Sequence, residues 1–153
     1  MGFGVHSNGI SSTGTVMKPI GRHVLIEFWG CNDCINDTDV IGQSIHEAVA
    51  ETGATILNLH VHAFSPQGVT GVAVLAESHM SVHSWPEHAY LAADIFTCGA
   101  TVDPHAAVLV LRRYFTPTHV EVKEILRGEP PTAAVEAPNS VDFSSTDSQI
   151  STE

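Results

Sequence analysis

Between Ala54 and Thr97 four extended stretches follow one another with very little chain between them: ATILNLHVHAF, VTGVAVLA, HMSVHS and AYLAADIFT, joined by SPQG, by Glu77-Ser78 and by WPEH. Parallel neighbours need a crossover of roughly a dozen residues or more, so links this short permit only antiparallel pairing. Each stretch alternates apolar with polar side chains or is rich in β-branched residues, as a strand requires. HVLIEF (His23 to Phe28) reads as a further strand upstream, and THVEVKEIL closes the ordered region as another.

Two segments carry the helical period instead. Ile41, Ile45, Ala48 and Val49 fall on one helix face, and Gly53 stands where a left-handed cap would end it. DPHAAVLVLRRYF offers Asp103 as an N-cap, Pro104 in the first turn, and Arg112 and Arg113 near the negative end of the helix dipole. CNDCINDTD, rich in Asn and Asp, reads as a polar turn. The order strand, helix, four strands, helix, strand predicts an α+β fold, a two-layer sandwich of an antiparallel sheet with two helices on one face. No element remains to cover the other face. A second copy packing sheet on sheet is therefore expected, giving a dimer with four αββα layers.

The ends differ from this core. Residues 1–18 are rich in Gly, Ser and Thr, and residues 128–153 form an acidic Ser/Thr/Pro tail; both are expected to be unstructured, leaving residues 19–127 as the domain. The net charge of −11 is partly a property of that tail, which holds five of the 17 acidic residues and no Lys or Arg. The remainder is still acidic and has no basic cluster. That argues against a nucleic-acid partner and is compatible with a cationic small molecule. No apolar run approaches the roughly 20 residues of a membrane span, and the N-terminus lacks a secretory apolar stretch, so the expected location is cytoplasmic. Three cysteines, an odd number, are expected as reduced thiols.

The chemistry gathers in AESHMSVHSWPEHAYLAADIFTCG, residues 76–99. Singly, Ser78 could be a turn residue, His79 and His83 strand histidines, and Cys98 a small core residue. Together the Glu77-Ser78 bond, the histidine five residues on and the thiol twenty residues on make a set of nucleophile, base and acid that strand pairing could bring together. A competing set of another class is Cys31, Cys34, His60 and His62, which have the ligand types of a tetrahedral zinc-binding module.

The text GRHVLIEFWGC, ETGATIL, GVTGVAVLAESHMSVHSWPEHAYLAADIFTCG and VDP, spread over residues 19–127, resembles the prokaryotic type of S-adenosylmethionine decarboxylase proenzyme. The resemblance implies a chain that cuts itself between Glu77 and Ser78 into a β chain of residues 1–77 and an α chain of residues 78–153. Ser78 would become a pyruvoyl group, the Schiff-base partner of the substrate, with neither pyridoxal phosphate nor a metal expected. The reaction implied is decarboxylation of S-adenosylmethionine, whose product is the aminopropyl donor for spermidine. By the same match His83 is the proton acceptor in processing, Cys98 the proton donor in decarboxylation, and Thr70 an assisting hydroxyl where the family commonly has serine. Phe64 and Trp85 would flank the adenine and Glu87 would hold the ribose. The family's dimer, which builds each site from both subunits, agrees with the uncovered sheet face. A pyruvoyl-dependent arginine or ornithine decarboxylase on the same scaffold is the nearer rival, because the processing residues do not define what enters the pocket.

Overall fold

The computed structural model describes residues 18–129, so nearly all of the N-terminal extension and of the acidic tail lies outside the described residues. Within them the order is β1 (Gly21–Trp29), α1 (Thr38–Thr52), β2 (Ile56–Ala63), β3 (Val69–Leu75), β4 (Ser78–Trp85), β5 (Tyr90–Cys98), α2 (Ala106–Phe115) and β6 (His119–Arg127). This is the order read from the sequence. The strands form one six-stranded sheet ordered β2-β3-β4-β5-β1-β6, antiparallel at every pairing. Consecutive strands β2 to β5 are neighbours, as their short links demand, and β1 is inserted between β5 and β6.

Helix α1 begins where the Asp37 carboxylate accepts the Asp39 and Val40 N–H groups, at 2.8 and 3.1 Å, and ends at Gly53 with φ +80°. Its Ile41, Ile45, Ala48 and Val49 are all buried. The expected polar turn after β1 contains a 3-10 turn, Asp33–Asn36, capped by the Asn32 side chain on the Cys34 N–H. Helix α2 starts two residues later than its sequence signal, with His105 rather than Asp103 at the N-cap position. Asp103 accepts from the His105 N–H through its side chain and from the Ala106 N–H through its carbonyl, so it caps a tight turn ahead of the helix proper.

Both helices contribute to one apolar core with one face of the sheet: Val24, Ile26 and Phe28 of β1, Met80 and Val82 of β4, and Leu91 and Ile95 of β5 meet Ile41 and Ile45 of α1 and Leu111 and Phe115 of α2. Gly71 of β3 allows α1 its close approach, because a Cβ there would lie 2.5 Å from Ile45 Cδ1. Among the described residues the opposite sheet face carries the alternate side chains and no helix. It exposes Trp29, Phe64, Val72, Val74, Trp85 and Ile125 at 36 to 53% of their surface. Apolar surface of that extent on one side of a sheet is characteristic of an interaction face. No helix among the described residues is long and apolar enough to cross a membrane.

Candidate active site

Ser78 opens β4 directly after the tight Ala76-Glu77 connection, with Leu75 and Ser78 paired across it. Its φ of +149° lies in a region that only glycine occupies without strain. The preceding residue is fixed at both of its acceptors. The Glu77 carbonyl accepts the Cys98 N–H at 3.0 Å, and the Glu77 carboxylate accepts the Thr55 N–H at 2.9 Å. The Glu77–Ser78 peptide thus combines a strained residue, a hydroxyl next to the carbonyl carbon, and a backbone donor positioned on the carbonyl oxygen. A donor so placed also stabilises the negative charge that forms there under nucleophilic attack. Cys98 ends β5 one residue beyond Thr97, the cross-strand partner of Ser78, so the structure brings Ser78 and exposed Cys98 together.

The remaining expected residues converge elsewhere. Thr70 and His83 are cross-strand partners, and Thr70 Oγ1 lies 2.9 Å from His83 Nδ1. A cleft of about 340 Å³ is lined by both of them together with Phe64, Gln67, Trp85 and Glu87. It is shaped by the strand ends: Phe64 follows β2, Trp85 ends β4, and Glu87 sits in the 3-10 turn Pro86–His88, where Gln67 donates to its carboxylate at 3.0 Å. Trp85 stacks on Tyr90, and Tyr90 on Trp29, forming an aromatic wall beside it. The Tyr90 hydroxyl bonds to Glu27; burial and that carboxylate push the phenol up to about 12, so it remains a neutral donor. Ser78 and His83 are five residues apart on one strand, about 17 Å at the usual rise. Within one chain the expected residues therefore fall into two groups, Ser78 with Cys98 and Thr70 with His83, at opposite ends of β4.

The four residues of the zinc-module reading do not assemble. His60 and His62 stand on the open face of β2, whereas Cys31 is buried in the core beneath the helices and its thiol is pushed up to about 11 by burial. Cys34 is exposed and free. Among the described residues the only close group of metal-capable side chains is His23, His79 and Asp94, on the open face. Sequence inspection did not single out this trio. Its members belong to three strands, and only the sheet register brings them together.

These features define the class as a two-layer α+β sandwich whose expected reactive residues lie on the exposed sheet face and its edges. The sequence model of the family described as S-adenosylmethionine decarboxylase matches residues 22–128. A relative from Methanococcus maripaludis, an S-adenosylmethionine decarboxylase proenzyme, is 46% identical over 73% of this chain and 93% of its own length. One of the same description from Thermomicrobium roseum is 47% identical over 73% of this chain and 97% of its own. The crystal structure of the adenosylmethionine decarboxylase from Aquifex aeolicus superposes with a TM-score of 0.69 at 31% identity, covering 80% of this chain and 98% of that one. The chain belongs to the S-adenosylmethionine decarboxylase family.

Proposed function

We propose that this decarboxylase generates its reactive carbonyl from Ser78 by cutting its own chain after Glu77, and that two copies complete each site. The family's reaction, release of carbon dioxide from S-adenosylmethionine, is the reaction of this chain, and it supplies polyamine synthesis. The observation that carries the processing proposal is the hairpin junction itself: strained Ser78, with the Glu77 carbonyl already held by the Cys98 N–H. A pyruvoyl group suits this position, since it needs a serine whose hydroxyl can reach the preceding carbonyl and whose peptide gains by opening. When formed, such a group provides a ketone that takes up the substrate amine and accepts the electrons released as carbon dioxide leaves.

The chain's own residues have the following parts. Ser78 Oγ attacks the Glu77 carbonyl carbon, and the amide becomes an ester while the Cys98 N–H holds the oxygen. His83 removes the Ser78 Cα proton, which expels the new α-carboxylate of Glu77 and leaves a dehydroalanine that tautomerises and takes up water to give the ketone with loss of ammonia; Thr70 Oγ1, bonded to His83 Nδ1, orients the ring with Nε2 free for that proton. The Cys98 thiol delivers a proton to the substrate carbon after carbon dioxide has gone. Phe64 and Trp85 offer faces for the adenine, and the Glu87 carboxylate accepts from the ribose hydroxyls.

The distance along β4 supports a reading in which His83 acts on Ser78 of the partner subunit. A two-fold axis lying between the two sheets, parallel to their faces and perpendicular to β4, turns the open faces toward each other and exchanges the two ends of the strand, so each Ser78 end comes to lie against a Thr70–His83 end. The same contact covers the exposed apolar residues of the open sheet. The test is twofold. Purified protein should run as fragments 1–77 and 78–153, and should release carbon dioxide from S-adenosylmethionine in preference to ornithine or arginine. An intact chain that turns over S-adenosylmethionine would overturn the processing reading, and equal rates on the three substrates would overturn the cleft assignment.

A further inference from the structure

The histidine within reach of Ser78 in its own chain is His79. The unusual backbone angle of Ser78 turns its side chain so that Oγ lies 3.4 Å from His79 Nδ1. The other ring nitrogen, Nε2, lies 3.2 Å from Asp94 Oδ2. Asp94 projects from β5 onto the open face, opposite Ser81 in the register, and also receives the Ser81 hydroxyl and, at 2.9 Å, His23 Nε2. His23 Nδ1 in turn faces the Arg127 guanidinium at 3.1 Å. Arginine can only donate, so His23 Nδ1 must accept and its proton sits on Nε2, directed at Asp94. Asp94 is thereby met by three donors. Burial alone would raise its pKa, but the hydrogen bonds from Ser81 and His23 and the field of the two histidines hold it below the usual carboxylate range. An ionised Asp94 keeps the His79 proton on Nε2 and leaves the Nδ1 lone pair facing the Ser78 hydroxyl.

We propose that His79, oriented by Asp94, is the base that activates Ser78 for its attack on Glu77, an assignment that rests on the self-cleavage reading above. As the Ser78 Oγ–H bond breaks, its proton passes to His79 Nδ1 and Oγ bonds to the Glu77 carbonyl carbon. The carbonyl electron pair moves to the oxygen, held by the Cys98 N–H. When the carbon–nitrogen bond breaks, the proton on His79 Nδ1 passes to the departing Ser78 nitrogen, leaving an ester and a free amine. Nothing is gained or lost, and His79 ends as it began. The 3.4 Å separation is at the long end of the hydrogen-bond range, as is common for catalytic contacts that tighten only on approach to the reacting state. His23, Asp94 and Asp94's neighbours position the base, whereas His79 alone touches the reacting atom. His83 then acts at the later elimination, from the partner subunit.

The same three side chains present ligand atoms within 4.8 Å of one another, an arrangement that a divalent metal could use. The Arg127 contact opposes that use. A metal on His23 Nε2 would leave the proton on Nδ1, donor facing donor.

Full-length chains made by cell-free synthesis, with cleavage followed on denaturing gels, test the assignment. His79→Ala and Asp94→Asn should slow cleavage at least about 100-fold, within the range of lost acid–base assistance. Asp94→Glu should recover part of the rate, and added imidazole should restore cleavage to His79→Ala but not to Ser78→Ala, a rescue that a purely structural role would not allow. Hydroxylamine, which cuts esters, should leave His79→Ala and Asp94→Asn whole while cutting His83→Ala between Glu77 and Ser78. A His79→Ala chain that cleaves at the wild-type rate, or that accumulates an ester, overturns the proposal. Chelator-sensitive cleavage restored by zinc would replace the base with a metal. A wild-type chain that never cleaves would instead defeat the underlying self-cleavage reading and say nothing against the geometry of His79.

Discussion

At the residue scale, Ser78, Cys98 and Thr70 have separable duties in the proposed mechanism, and their variants should stop at different stages. Ser78→Ala removes one oxygen from a strained position without adding bulk, so the chain should fold, stay intact and lack activity, read as a single band on a denaturing gel. Cys98→Ala keeps the backbone N–H that holds the Glu77 carbonyl. Cleavage should therefore continue, while carbon dioxide release falls about 100-fold with loss of the proposed proton donor. Thr70 is a finer case. Threonine keeps the hydroxyl on His83 Nδ1 with a restricted rotamer, so Thr70→Ser should preserve processing and Thr70→Val should slow it, measured as precursor half-life. Equal half-lives for the two variants would show that the hydroxyl does not orient His83.

At the scale of elements, the sheet is held to α1 by a missing side chain. Gly71→Ala would set a methyl against Ile45 Cδ1 and, at 3.1 Å, Ile41 Cγ2, both fully buried, and should destabilise the fold by about 1–3 kcal/mol. Ile45→Val removes the Cδ1 atom, so the double variant should be less destabilised than the sum of the singles by thermal melting. On the outer edge, Glu124 of β6 binds Arg22 of β1 and His105 ahead of α2. The Arg22 hydrogen bond, with that from His105, lowers the Glu124 pKa from 4.5 to about 2. A depressed carboxylate stabilises the folded state fully above its unfolded pKa and loses that contribution as pH falls towards its folded one. The melting temperatures of wild type and Glu124→Gln should therefore converge between pH 4.5 and 2. The elements themselves were legible because period and turn residues are local: α1 is bounded by Asp37 and Gly53, and β2 to β5 by links too short for crossovers. The start of α2 was misplaced because Asp103 caps a turn as readily as a helix. The His23–His79–Asp94 group was illegible because it depends on β1 lying beside β5, a pairing that no local signal encodes.

At the scale of the whole molecule, the separation of Ser78 from His83 makes a statement about chain partnership that can be tested without a structure of the assembly. If each site takes Ser78 from one chain and Thr70–His83 from the other, a Ser78→Ala chain and a His83→Ala chain each form homodimers with no complete processing site. A mixed dimer has one good site, made from Ser78 of the His83→Ala chain and His83 of the Ser78→Ala chain. Co-expressed with distinguishable tags, the two should restore cleavage, and only the His83→Ala chain should be cut. With random pairing about half of the dimers are mixed, so about half of the His83→Ala chains should be processed. A charged residue at Val72, on the open face and paired with Ser81 rather than with Ser78 or His79, should abolish this rescue by opposing sheet-on-sheet contact. Size-exclusion chromatography would then report the loss of the dimer independently of chemistry. If His83 instead reached Ser78 within its own chain, the tagged mixture would remain uncut at every ratio, and the about 17 Å between the two residues would have to close by a rearrangement of β4 itself.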